Sequence, residues 1–219
     1  MQLDITMSSA AQLTRRIAQL VVGLFAYGIA IALMVQAGIG VAPWDVLTQG
    51  IAKQTGLDFG LLTNLIGAGV LLCWIPIRQR PGIGTIANVL LIGPSAQLGL
   101  SIFPKQHELV LQLVFFTTGL VLLALATGLY IGARMGPGPR DGLMTGIHAR
   151  TGWRLWMVRT GIEITVLLVG WALGGNFGPC TIAFALLVGP MVAVTIPWLR
   201  VPGGAVIPTI VPAGEVTAT

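Results

Sequence analysis

Charged side chains are scarce in this sequence of 219 residues, because Asp, Glu, Lys and Arg together make up 9% of it. Soluble globular domains carry about a quarter of charged residues, so the composition argues strongly against a water-soluble fold. Cysteine is also rare, since Cys73 and Cys180 are the only two and neither has a CxxC partner. We therefore expect no disulfide framework, no metal site and no cofactor.

Motifs for enzymatic or nucleic-acid chemistry are missing as well. The net charge is +5 and the pI is about 10.0, yet no cluster of Lys and Arg with interleaved aromatic residues occurs. A nucleic-acid partner is therefore not expected. The sequence has no phosphate loop, dinucleotide fingerprint, zinc ligand set or nucleophile elbow, so we do not expect an enzyme.

What the chain does contain is long apolar segments. Hydrophobic residues make up 55% of it, with 30 Gly, 13 Pro and a mean hydropathy of +0.88. These values are typical of an all-α polytopic membrane protein, in which Gly and Pro are tolerated within spans. Each segment is long enough to cross a hydrocarbon core of about 30 Å. The six predicted transmembrane helices are Ile17–Val35, Phe59–Ile77, Thr85–Phe103, Leu109–Ile131, Leu155–Leu173 and Thr181–Trp198.

An internal repeat organises these segments. A shift of 96 positions aligns Gly38–Gly56 with Arg134–Gly152 and Gly82–Pro94 with Gly178–Pro190. About 20 of about 55 aligned positions are identical, which indicates two homologous halves. We expect an N-terminal cytoplasmic segment (1–14), a first three-helix repeat (15–104), a second three-helix repeat (105–200) and a disordered C-terminal tail (201–219).

Three spans per half is an odd number, so the second half must enter the membrane from the opposite side. The two three-helix repeats are therefore predicted to be inverted. Basic residues favour an orientation with both termini in the cytoplasm, because only Lys53 and Lys105 then fall outside. Arg159 lies within the fifth span, and the cytoplasmic side receives Arg15, Arg16, Arg78, Arg80, Arg134, Arg140, Arg150, Arg154 and Arg200.

Each half also contains a short helix that begins with a Pro-x-Asp motif. Pro43-Trp44-Asp45 and Pro139-Arg140-Asp141 each open a segment of about 13 residues that ends at Thr-Gly. Such helices, about 20 Å long, cannot span the bilayer. They are either interfacial connectors whose Asp complements the helix dipole, or re-entrant helices that bring Asp45 and Asp141 to a central site from opposite sides.

Paired Gly-Pro motifs interrupt the third and sixth spans. Gly93-Pro94 and Gly189-Pro190 should kink or break these helices, because proline removes an intrahelical hydrogen bond. One interpretation is a packing kink; the other is a transporter site near the midplane, for which interrupted helices in two inverted halves are the best pointer. The neutral polar residues near these motifs belong mainly to the first half. They are Asn88, Ser95 and Gln97.

The fifth span contains two ionisable residues, Arg159 and Glu163, where the first half has Thr63 and Gly67. Ionisable residues within a span are costly and suggest function. Their i, i+4 spacing also allows a structural ion pair. The alternative is that Glu163 faces a cavity as a ligand for a proton or cation, held by Arg159.

Several of these motifs resemble the YczE/YitT-like bacterial integral membrane proteins. The resemblance rests on Gly40–Leu47, Pro81–Ile86 with Asn88, Gly138–Met144 and Arg159–Glu163, and it extends over nearly the whole chain. The segment Phe177-Gly178-Pro179-Cys180-Thr181 departs from the expected Gly-Ile-Gly-Thr. The resemblance implies a multi-pass protein of the bacterial cytoplasmic (inner) membrane and supplies no established substrate.

Two functions are consistent with this sequence. The first is a transporter or channel for a small solute or ion, with its site between the inverted repeats. Its predicted binding residues are Asp45, Asp141, Glu163, Asn88, Gln97, Gly93, Pro94, Gly189 and Pro190. The alternative is a non-transporting membrane scaffold that binds a partner membrane protein or forms a homo-oligomer. The sign of the substrate charge stays open, since helix N-termini favour anions and carboxylates favour cations.

Overall fold

The chain forms a bundle of α-helices, described here from a computed structural model that covers residues 9–201. No β-strand occurs within that range. In the same residues, six helical segments are long and apolar enough to cross a membrane. The all-α membrane fold is therefore confirmed, whereas almost all of the tail predicted as disordered lies outside the described residues.

The helices follow the order that the repeat predicts, with one addition in the second span. They are α1 Ser9–Ala37, α2 Pro43–Thr55, α3 Phe59–Leu72, α4 Trp74–Ile77, α5 Ile83–Ile102, α6 Leu109–Gly132, α7 Pro139–Thr151, α8 Leu155–Ala172 and α9 Pro179–Leu199. Helix α1 begins eight residues before the predicted span, because hydropathy marks the apolar part of a helix and not its polar first turns.

Helices α1 and α6 lie together at the centre of the bundle, with α5 packed on α1 and α9 packed on α6. Small residues allow this close approach. A Cβ added to Gly23 would lie 2.9 Å from the backbone nitrogen of Tyr130, and one added to Gly119 would lie 2.7 Å from the Met34 side chain. Glycine at helix contacts is the usual way in which membrane helices pack closely.

The backbone geometry recurs with the same spacing of 96 residues as the sequence. Every residue with positive φ in the described range has a counterpart at that spacing, including the non-glycine residues Arg78 and Arg134. Because left-handed backbone is rare outside glycine, its recurrence at four equivalent pairs shows that the two halves share their turns. The four pairs are Gly38 and Arg134, Gly40 and Gly136, Gly56 and Gly152, and Arg78 and Gly174.

Contacts between the halves are reciprocal. The Gly84 backbone N–H donates to the Met135 carbonyl at 2.8 Å, and the equivalent Cys180 N–H donates to the equivalent Ile39 carbonyl at 3.2 Å. Reciprocal contacts of this kind are typical of a two-fold relation. Whether the halves have opposite orientations in the membrane stays a prediction.

The two short helices are present at the expected positions and are 13 residues long. Each begins at its proline and ends before a glycine in the left-handed conformation, Gly56 or Gly152. In both, the first residues are largely buried and the last turn is exposed. Their N-termini therefore point into the bundle and their C-termini point out of it.

Helix α4 is a feature that hydropathy did not predict. A turn at Cys73 separates it from α3, and its buried Trp74 donates an indole hydrogen bond to the Pro139 carbonyl at 3.0 Å. Trp74 also packs against Gly142 in α7. This single turn therefore anchors the N-terminal part of α7 to the first half.

The Gly-Pro motifs do not break their helices. Helix α5 continues through Pro94 and α9 continues through Pro190, and both proline rings lie at the surface. A helix can continue through a proline when the surrounding packing holds its axis, since only one hydrogen bond is lost. The motifs therefore leave both spans intact.

The two halves differ in how their outer helix packs. In the first half, the Asn64 side chain accepts a hydrogen bond from the Gly93 N–H at 3.0 Å, and Gln97 accepts one from the Gly60 N–H at 3.0 Å. These bonds hold α3 against α5.

The second half has other residues at the equivalent positions: Thr160 for Asn64, Ala193 for Gln97 and Trp156 for Gly60. Helix α8 packs along α2 and lacks the extensive contact with α9 that α3 makes with α5. A Cβ added to Gly189 in α9 would meet open space. The second half is therefore more open beside α9.

Candidate functional site

Side chains from the first turns of α2 and α7 contact each other inside the bundle. The guanidinium carbon of Arg140 lies 4.9 Å from the centroid of the Trp44 ring. These two residues occupy equivalent positions of the repeat, 96 residues apart. Side chains at equivalent positions contact each other only close to a two-fold axis. This pair therefore marks the point at which the two halves meet.

Two cavities lie beside this pair, with volumes of about 70 Å³ and about 140 Å³. Four residues line both cavities: Tyr27 from α1, Tyr130 from α6, and Arg140 and Asp141 from α7. The two tyrosine rings contact each other edge to face, with centroids 6.0 Å apart. The cavities are therefore neighbours that share one polar wall.

The two cavities are also counterparts in the repeat. The smaller one is lined by Thr63, Gly67 and Asn88. At the positions 96 residues later, the larger one is lined by Arg159, Glu163 and Phe184. Equivalent positions of the two halves thus line both cavities, and at these positions the first half has neutral residues where the second half has two charged side chains and one aromatic side chain.

Asp141 is held where the cavities meet. Its Oδ2 accepts a hydrogen bond of 2.8 Å from the Tyr130 hydroxyl. Close packing needs glycine at position 138, because a Cβ there would lie 3.3 Å from the same carboxylate oxygen and 3.4 Å from the Asn88 amide nitrogen. The predicted residues Asp141 and Asn88 are therefore both close to this glycine.

Asp45 takes a different position from Asp141. It is 1% exposed and lines neither cavity. Its Oδ1 and the indole nitrogen of Trp44 are both buried and have no hydrogen-bond partner among the described residues. The positive charge of Arg140 acts on the Asp45 carboxylate. Asp45 is thus a buried carboxyl group that interacts electrostatically with Arg140.

Arg159 and Glu163 form an ion pair on α8, with 3.0 Å between Nε and Oε1. Both residues line the larger cavity. The Arg159 side chain is 48% exposed and that of Glu163 is 26% exposed, so the glutamate lies deeper. The sequence left two alternatives, a structural ion pair and a position of Glu163 at a cavity. In the structure both occur together.

The other predicted residues lie in the larger cavity, at a helix contact or at the surface. Gly189 lines the larger cavity. Gln97 and Gly93 take part in the contact between α5 and α3. Pro94 and Pro190 lie at the surface and line neither cavity.

The sequence did not predict roles for Tyr27, Tyr130, Trp44 and Arg140. One signal was available, since Tyr27 and Tyr130 are the only tyrosines of the chain and both lie within spans. A hydroxyl inside a membrane span needs a hydrogen-bond partner, which points to a polar interior. Within residues 9–201, no three His, Cys, Asp or Glu side chains are arranged to hold a metal ion.

Comparison with known proteins gives the family. Residues 14–197 match a family model described as a family of unknown function, DUF6198. The chain belongs to this family.

Related proteins support the same assignment over most of the chain. An uncharacterized protein of Haemophilus influenzae is 38% identical over 178 residues, which is 81% of this chain and 82% of that protein. The uncharacterized membrane protein YczE of Bacillus subtilis is 33% identical over 175 residues, covering 80% and 81% of the two chains. No solved structure matches. The resemblance to YczE-like proteins is confirmed, and the chain is a multi-pass membrane protein of the lipid bilayer.

Proposed function

We propose that the protein is a transporter or channel for a small solute or ion rather than an enzyme. The observation that carries this proposal is the pair of equivalent cavities beside Arg140 and Trp44. A soluble or scaffold role would not need the same polar cavity twice within six membrane-spanning helices. In transporters built from inverted repeats, the substrate site lies where the repeats meet.

The short helices support an inverted arrangement with re-entrant helices. Their N-termini are buried at the centre, and their exposed C-termini carry Lys53 on α2 and Arg150 on α7. If the halves are inverted, these two ends lie on opposite sides of the membrane. The two cavities then provide one access route from each side.

In this mechanism the Arg140–Trp44 contact separates the two routes. Asp141 faces both cavities, so a solute that passes from one to the other remains in reach of the same carboxylate. Passage requires the guanidinium to leave the Trp44 face. Asn88 lines the smaller cavity and Glu163 lines the larger one. This difference gives the two routes different affinities for the solute.

The proposal is tested by flux into proteoliposomes with a panel of ions, amines, amino acids and organic acids. We expect one class of solute to be transported, and expect Asp141→Asn to reduce its flux by at least about tenfold, since a charged hydrogen bond is worth roughly 1.5 to 3 kcal/mol. Asp45→Asn should reduce it as well, because the counter-charge of Arg140 is lost.

Asp58→Asn is the matched control, since Asp58 is an exposed carboxylate that lines neither cavity. Unchanged flux in both Asp45→Asn and Asp141→Asn would remove these carboxylates from the mechanism. No flux of any solute, together with a stoichiometric partner protein after purification in mild detergent, would favour the scaffold.

A further inference from the structure

Aromatic side chains are concentrated in the larger cavity. Aromatic residues make up 7% of the chain, yet Tyr27, Trp44, Tyr130 and Phe184 all line this one space. The faces of aromatic rings attract organic cations, and several rings around one space are a common way to bind them. The counterpart of Phe184 in the smaller cavity is Asn88, and Trp44 does not line that cavity, so the larger cavity has two aromatic side chains more than the smaller one.

The Trp44 ring already has a cation on its face, the guanidinium of Arg140 at 4.9 Å from the ring centroid. That guanidinium forms no hydrogen bond or ion pair with any residue in the range 9–201. It is therefore held by the indole face and by the charges of neighbouring carboxylates, and not by a rigid fork of hydrogen bonds. An arginine held in this way can leave the ring at modest cost.

The surrounding charges favour a cation in its place. Arg159 is neutralised by Glu163 on its own helix. Of the charged residues that line this cavity, Asp141 and Arg140 then remain, and the buried Asp45, next to Trp44 in the sequence, adds a second carboxyl group. If Arg140 leaves the Trp44 ring, the ring and the carboxylates lose their electrostatic attraction to the guanidinium. A bound organic cation in the same place restores this attraction.

We propose that the larger cavity binds a small organic cation of the alkylammonium or guanidinium class, which displaces Arg140 from the face of Trp44. This inference rests on the proposed function and names its substrate class. The volume of about 140 Å³ limits the ligand to an ion about as large as choline or smaller. Aromatic walls favour a weakly hydrated organic ion over an inorganic cation, which needs several oxygen ligands.

The test uses the purified full-length protein and titrates it with choline chloride and with guanidinium chloride, the latter far below the molar concentrations at which it denatures proteins. Tryptophan fluorescence and thermal unfolding are the readouts. We expect both cations to bind and to raise the unfolding temperature. The control ligand is 3,3-dimethylbutan-1-ol, which has the shape of choline without its charge and should have no effect. Potassium chloride and sodium acetate at the same ionic strength should also have none.

The variant that separates this proposal from others is Arg140→Gln. Because it removes the internal competitor, we expect choline to bind about tenfold more tightly than to the wild type. Arg140→Lys keeps a cation at the ring and should bind choline within about threefold of the wild type. Trp44→Leu should lose binding, and Trp44→Phe, which keeps an aromatic face, should retain part of it.

Three results would overturn the inference: equal effects of choline and its neutral analogue, stabilisation by anions instead of cations, or weaker choline binding in Arg140→Gln. Flux measurements separate it from the proposed function. Choline binding without transport would support the cation site and contradict transport of that cation. Transport of another solute without cation binding would support the proposed function and contradict this inference.

Discussion

At the scale of single residues, the contact of Gly142 with Trp74 decides how α7 is held. A Cβ at position 142 would lie 2.0 Å from the Trp74 ring. The ring cannot move away easily, because it is 1% exposed and its indole nitrogen is hydrogen-bonded to Pro139. One small residue thus allows a large side chain to fix the helix that presents Arg140 and Asp141.

We therefore expect Gly142→Ala to lower the free energy of unfolding by about 1 to 3 kcal/mol, the usual cost of an overpacked contact. Thermal unfolding of the purified protein measures this effect. Gly161→Ala is the matched control, since it also adds a methyl group to a helix but meets open space. A similar loss of stability in both variants would show that the contact with Trp74 is not the cause.

The hydrogen bonding of Asp141 depends on its position in the fold. The sequence alone makes it one of two equivalent aspartates. The structure gives it a hydroxyl donor, Tyr130, whereas the position equivalent to Tyr130 in the first half is Met34. Among the described residues Asp45 consequently has no such donor, and it is almost completely buried. Two equivalent carboxylates therefore have different surroundings.

At the scale of helices, the start of α3 is stabilised by a residue from another helix. Gly60 is the second residue of α3, where the backbone N–H has no partner within the helix. The Gln97 side chain of α5 accepts its hydrogen bond at 3.0 Å. Gln97, which the sequence placed in the binding site, thus caps a neighbouring helix.

We expect Gln97→Ala to lower the free energy of unfolding by about 1 kcal/mol, which is typical for the loss of an N-terminal cap. Gln97→Met keeps the length of the side chain without the acceptor oxygen, so it should lose a similar amount of stability. Chemical or thermal unfolding checks both variants. If Gln97→Ala abolishes flux while leaving stability unchanged, the residue belongs to the transport site after all.

At the scale of the whole molecule, the inverted arrangement has a direct test. Lys53 in α2 and Ala149 in α7 are equivalent exposed positions near the C-termini of the short helices. In a background with Cys73 and Cys180 replaced, we expect Lys53→Cys to react with an impermeant thiol reagent added outside intact cells. Ala149→Cys should react only after the inner side is made accessible.

Labelling of both cysteines from the same side would contradict the inversion of the halves. An orientation opposite to that expected would show the two reactivities exchanged. That result would keep the inversion and reverse the predicted cytoplasmic location of the termini. The two cysteine variants serve as controls for each other, because they differ only in the half of the molecule that carries the thiol.

The sequence by itself determined the membrane environment, the six spans and the two short helices. Segment length, hydropathy and helix-ending glycines such as Gly56 and Gly152 are local properties of the sequence. In an apolar chain they predict where each helix begins and ends. The repeat was also readable, because equivalent residues keep their spacing along the chain. The relation between the halves in the membrane was predicted from charge and stays a prediction.

Only the tertiary structure decided which side chains meet. Trp44 and Arg140 are 96 positions apart and come into contact because the two halves pack reciprocally around one centre. The sequence does not predict that Pro94 and Pro190 lie at the surface or that Asp45 is buried. Both depend on how each helix is oriented about its own axis in the bundle. That orientation is set by contacts between residues that are distant in the chain, and the local sequence pattern does not reveal these contacts.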